Sequence, residues 1–323
     1  MNHCLVRAAI LVAAAAGLAT FARAQQDQDV RILRVRGNVS MIEGAGGNIT
    51  VLTFPQGVTL VDSGLAAAAD KVLASIRTLS NQPIRYIINT HVHPDHTGGN
   101  LKLGATGRQI TGGNVAGQIA DAADGAEIIA HEAVLDRMNL ASNRPPIPIR
   151  AMPQTTYHTD YVKLSTFYHG DGIQVIHEPS AHTDGDSIVW FRRHDVIATG
   201  DIFLTTTYPV VDLERGGSIN GTIAALNHIL DLAFPEFRLE GGTLIIPGHG
   251  RISDSADVAY YRDMVTIVRD RIEDMIKRGM TLEQVKAAGP TRDYDPRYGA
   301  TTGPWTTDMF IEAVYKSLAA KKK

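Results

Sequence analysis

The chain has 323 residues, with 31 basic and 34 acidic side chains and a net charge of −3. That length holds one large or two ordinary domains, and the 44% apolar content is globular. The mildly acidic balance argues against nucleic acid as a partner.

Residues 1–24 read as a secretory signal peptide. Arg7 precedes the apolar, Ala-rich stretch Ala8–Thr20, and Ala22-Arg23-Ala24 gives a small-x-small cleavage site before Gln25. The apolar stretch is short for a membrane span, so the mature product is expected to be periplasmic or secreted, with no stable membrane insertion. The single cysteine, Cys4, lies inside that segment. The mature chain therefore forms no disulfide and offers a metal only His and carboxylate ligands.

Three β-like runs follow: Arg31–Arg36, Asn48–Phe54 and Val58–Asp62, separated by glycine-rich turns. Ala66–Leu79 has helical apolar spacing at Ala69, Val72, Leu73 and Ile76. Ile84–Asn89 predicts a buried strand, Glu127–Ala130 another, and His131–Met138 a helix. The Pro-rich segment Asn143–Tyr161 predicts no element and is a candidate substrate-facing loop as much as a plain connection. In the second half Ile173–His177, Ser187–Arg192, Val196–Ala198 and Thr243–Ile246 are strand-like. Ile219–Ala233, Ser255–Arg278 and Thr281–Ala288 predict helices. The repeated strands-then-helix order predicts one α/β domain over 25–288, a four-layer αβ/βα sandwich. The segment 289–323 is polar and predicts a solvated terminal tail.

The most informative motif is His91-Val92-His93-Pro94-Asp95-His96, directly after the predicted strand Ile84–Asn89. Three imidazoles and a carboxylate suit zinc, and less selectively iron or manganese. One short loop cannot turn all four side chains on a single tetrahedral ion, so two adjacent ions are the natural solution. His182, Asp201 and His249 lie downstream, each near a predicted strand end. Thr97, Thr183 and Asp184 flank ligands and are candidates for orienting them, with a turn role for Asp184 equally open. The remaining histidines, His131, His158, His169, His177, His194 and His228, read as surface or core residues, and Trp190 as core.

On these motifs, together with the Pro247-Gly248-His249-Gly250 turn, the chain resembles the metallo-β-lactamase superfamily from about Val30 to about Ile276. The resemblance implies one metal on His91, His93 and His182, a second on Asp95, His96 and His249, and Asp201 between them, as in glyoxalase II-like members. It further implies two zinc ions per chain. A hydroxide held by them would attack an amide, ester or thioester carbonyl of a small-molecule substrate, with Asp95 and Asp201 as catalytic carboxylates. Three branches compete. A β-lactamase is compatible with export, yet the aspartate bridge and Leu204, three residues on, depart from the cysteine-plus-lysine pattern; Arg215, Arg251 or Lys102 would have to supply the cation. A thioesterase fits the ligands. Exported metallohydrolases associated with sulfur oxidation and quinoprotein systems share the look of Tyr208-Pro209-Val210-Val211-Asp212. The alternatives are a mononuclear-iron persulfide dioxygenase and a non-catalytic periplasmic metal-binding protein.

Overall fold

The computed structural model describes residues 29–109, 124–140, 142, 145–233 and 241–319. The expected signal segment lies outside them. Seven strands form the first sheet in sequence order: β1 (Arg31–Arg36), β2 (Val39–Glu43), β3 (Ile49–Phe54), β4 (Gly57–Val61), β5 (Ile84–Ile88), β6 (Glu127–His131) and β7 (Thr155–Tyr157). β1 to β4 pair antiparallel, and β4 to β7 pair parallel. The second sheet runs β12-β11-β10-β9-β8, from β8 (Tyr161–Leu164), β9 (Ile173–Glu178), β10 (Asp186–Phe191), β11 (Val196–Ala198) and β12 (Leu244–Ile246). Only β11 and β12 pair parallel within it.

Strand periodicity explains the layering. Successive side chains point to opposite faces, and both faces are apolar. Leu52, Val61 and Ile88 meet Val175, Val189 and Phe191 between the sheets. Their neighbours Val51, Leu60 and Ile87 face outward under α1 (Ala69–Leu79), which contributes Val72 and Ile76. On the far side Ile188, Ile197 and Ile245 pack beneath α5 (Ile219–Leu232) and α6 (Ser255–Lys277). The order is therefore α/β/β/α. Short helices α2 (Pro94–Thr97), α3 (Asn100–Ala105) and α4 (Glu132–Met138) lie beside the parallel strands. No helix among the described residues is long and apolar enough to cross a membrane.

Two expectations need correction. The C-terminal segment is not a solvated tail. After α7 (Leu282–Ala288), α8 (Thr307–Ala319) buries Phe310, Ile311, Val314 and Leu318 in the same core as α5 and α6. Phe310 stacks on Tyr208 with ring centroids 4.6 Å apart. Those four residues recur at helical spacing, and burying them outweighs the polar composition between them. The Pro-rich segment is not without structure either. Its described part includes a 3-10 turn at Ile149–Ala151 and the edge strand β7, which pairs with β6. Strand β2, between β1 and β3, was not among the predicted runs.

Candidate metal centre

The seven predicted residues converge at the C-terminal ends of the strands. The loop after β5 carries His91 and His93; Pro94 opens α2, where its missing N–H costs nothing. That turn presents Asp95 and His96. His182 lies on the β9–β10 connection. The parallel pair β11 and β12 delivers Asp201 and His249 side by side, with Asp201 on a 3-10 turn, Gly200–Ile202. Carboxyl ends of parallel strands are the usual crevice of open α/β sheets.

Two groups of ligating atoms result: His91, His93, His182 and Asp201, then Asp95, His96 and His249, each within 4.8 Å internally. Asp201 faces both. One carboxylate oxygen lies 3.8 Å from His182 Nε2, while the other lies 3.1 Å from His96 Nε2 and 3.5 Å from His249 Nε2. Asp95 Oδ2 is 3.2 Å from His249 Nε2.

Hydrogen bonds on the outer ring nitrogens fix which inner nitrogens carry lone pairs. The Val210 carbonyl only accepts, so His182 Nδ1, at 2.6 Å, carries the proton. Asp212 Oδ2, 2.9 Å from His93 Nε2, places the proton there. Asp62 Oδ2 accepts from His96 Nδ1 at 2.7 Å and from the Thr90 hydroxyl at 2.8 Å. Having donated its proton, Thr90 Oγ1 accepts from His91 Nδ1 at 3.0 Å. Four imidazole lone pairs are thus turned inward. His182 Nε2 and His93 Nδ1 stand 2.8 Å apart, lone pair against lone pair. His91 Nε2 and Asp201 Oδ1 are buried with no hydrogen-bond partner. Buried acceptors facing one another without donors are costly unless a cation lies between them, so this donor set fits metal ions.

The electrostatics agree. Burial, then the neighbouring imidazoles His96 and His182, drives the His91 pKa well below its ordinary value. Burial brings His182 down to about 4. Both imidazoles stay neutral at pH 7. Burial pushes Asp201 upward, but His96 and His249 outweigh it and hold the carboxyl well below the usual range. Burial opposes charging of His96, yet Asp201 and Asp62 win and raise it. The negative field that favours a proton at that lone pair also favours a cation.

Backbone packing makes the approach feasible at two glycines. A Cβ on Gly248 would run into Asp201 Oδ1 and the Gly200 backbone, and one on Gly47 into the His96 ring. Several supporting residues were not singled out from sequence. Asp62, directly after β4, lies in the left-handed region, φ 63°, a costly conformation for a side-chain-bearing residue. Asn48 bonds the Pro247 and Gly250 carbonyls, at 2.9 Å each, tying the first half of the chain to the His249 loop. Thr97, Thr183 and Asp184 are not the residues that bond the imidazoles. Thr97 bonds the His93 carbonyl, Thr183 bonds Asp186, and Asp184 pairs with Arg137. The candidate cations divide. Arg215 pairs with Asp212 beside His93, while Lys102 and Arg251 pair with Asp70 and Asp257. The other histidines lie apart from the cluster. His131 stacks on His177 at 3.5 Å, His194 bonds Asp171 and His228 bonds Glu178. Trp190 packs against the core.

The fold and site together are those of a four-layer α/β sandwich with paired His/Asp clusters, able to hold metal ions, at its strand ends. Residues 42–249 match the profile of the Metallo-beta-lactamase superfamily, and the chain belongs to that family. A linear primary-alkylsulfatase from a Pseudomonas strain is 22% identical over 275 residues, covering 76% of this chain and 51% of the relative. Among solved structures, a stereoselective inverting sec-alkylsulfatase from Pseudomonas sp. superposes with a TM-score of 0.62 at 14% identity, covering 89% of this chain and 50% of its own. DIM-1 metallo-beta-lactamase gives 0.54 at 17% identity, covering 74% of this chain and 97% of its own. The chain spans about half the length of the alkylsulfatases it matches. At these identities the structural likenesses establish the fold.

Proposed function

We propose that this chain is an exported dinuclear zinc hydrolase of amide, ester or thioester bonds in small molecules. The observation that carries the proposal is the set of four imidazoles whose outer nitrogens are committed as donors, leaving their lone pairs converging on Asp201. His91, His93 and His182 would hold one ion, Asp95, His96 and His249 the other, and Asp201 would offer an oxygen to each. Bound zinc supplies Lewis acidity and an acidified water at neutral pH. Asp95, the less buried of the two candidate catalytic carboxylates, would pass a proton to the leaving group. The second ligand set supports two ions over mononuclear iron, which the first set alone would serve. A sulfate ester is the second reading, favoured by the alkylsulfatases among the relatives. Assays of nitrocefin, a thioester, a p-nitrophenyl ester and octyl sulfate on one purified sample choose among these bonds. His93→Ala and Asp95→Ala should each abolish whichever activity is found. Variants as fast as the parent would sink the proposal.

A further inference from the structure

A cleft of about 650 Å³ has His93 and Asp212 in its wall and so adjoins the candidate ligand cluster. Its size is that of a small-molecule site. The loop bearing Val210, Val211 and Leu213 forms one side; Trp305, Met309 and Ala313 form the other. Leu213 and Met309 are large apolar side chains left 37% and 42% exposed. The cations in the wall are already matched: Arg215 lies 2.7 Å from Asp212, and Lys316 lies 2.7 Å from Glu312. Glu214 adds a negative charge to the lining. An anionic tail would meet repulsion there, and an apolar one would meet the six side chains named above.

We propose that this cleft holds an uncharged aliphatic chain of the substrate, with the scissile group at the His93 end. The segment 289–323 would then set specificity through Trp305 and Met309. The proposal rests on the hydrolase reading given above. Each methylene that leaves water is worth at most about a fourfold gain in kcat/KM, and a cleft open on one side realises about half to all of it.

The test uses p-nitrophenyl esters from acetate to decanoate, with the full chain and Met309→Asp. Met309 is the third residue of α8, where an acidic side chain suits the helix N-terminus, so the variant should fold. For the parent, kcat/KM should climb about two- to fourfold per methylene. Met309→Asp should flatten that climb. A parent with no chain-length dependence, or a variant with the same slope, overturns the proposal. Binding is read separately by titrating 1-octanol against tryptophan fluorescence, since the chain has two tryptophans. A saturable change is expected, weakened at least about tenfold by Met309→Asp and lost in Trp305→Phe. If no ester is hydrolysed at any length, the carboxylic-ester reading of the site fails while the titration still decides the cleft. No saturable change with 1-octanol refutes the cleft.

Discussion

Asp62 is the residue whose alteration should separate the two metal positions. Its Oδ1 accepts the Thr90 backbone N–H at 2.8 Å, and its Oδ2 accepts from Thr90 Oγ1 and His96 Nδ1. In Asp62→Asn the side chain keeps its shape, and asparagine tolerates the left-handed backbone found here. The amide must place its oxygen toward the Thr90 N–H, because a backbone donor cannot turn away. Its NH2 group then points at His96 Nδ1, which becomes an acceptor. The proton on His96 moves to Nε2, the nitrogen facing His249 and Asp201, and the ligand is lost. Partners of this kind are worth about 10–100-fold in metal affinity, or about 1.4–2.7 kcal/mol. Zinc retained after dialysis against a graded weak chelator is the assay. It should fall from about two ions toward one, since two of the three imidazoles in the other set, His93 and His182, take their orientation from Asp212 and Val210, and only His91 is linked to Asp62, through Thr90. Equal retention of both ions by parent and variant would refute the tautomer argument.

Three further outcomes follow from the same geometry. Gly248→Ala puts a methyl group into Asp201 and the Gly200 backbone; activity should drop at least about 100-fold, in line with a displaced catalytic group, and parental kinetics would contradict the close packing. Phe310→Ala should cost about 3–5 kcal/mol in urea unfolding, because Phe310 is fully buried against Tyr208; a loss below about 1 kcal/mol would mean the C-terminal helix contributes little. Burial first, then His177, lowers the His131 pKa to about 4. The unfolded chain then binds more protons between about pH 6.5 and about 4. Stability is therefore full above that window and lost as pH falls through it; denaturation midpoints in His131→Asn should show a shallower decline than the parent.

The candidate metal ligands were legible because each is a distinctive residue type in a short segment beside glycine at a strand end. Their supports were not. Asp62, Thr90, Asn48 and Asp212 are single polar residues whose roles depend on partners between 28 and 202 positions away, or on a neighbour's tautomer. The layers were readable from alternating apolar runs, yet β2, Val39–Glu43, escaped because it lies between two glycine-bearing turns and is defined by its pairing with β1 and β3. The helical spacing of Phe310, Ile311, Val314 and Leu318 was present in the sequence. Charged and polar residues between them made the segment look solvated, and only its packing on α5 and α6 shows which face counts. Three-residue β7 is an edge strand defined by its pairing with β6, a long-range contact that local composition does not carry.

Elemental analysis of the purified full-length protein tests for the paired ions themselves. About two zinc ions per chain should be found, lost together with hydrolytic activity on chelation and restored together on adding zinc. About one iron per chain, with oxygen uptake on a persulfide and no hydrolysis of any ester, thioester, lactam or sulfate ester, would contradict it.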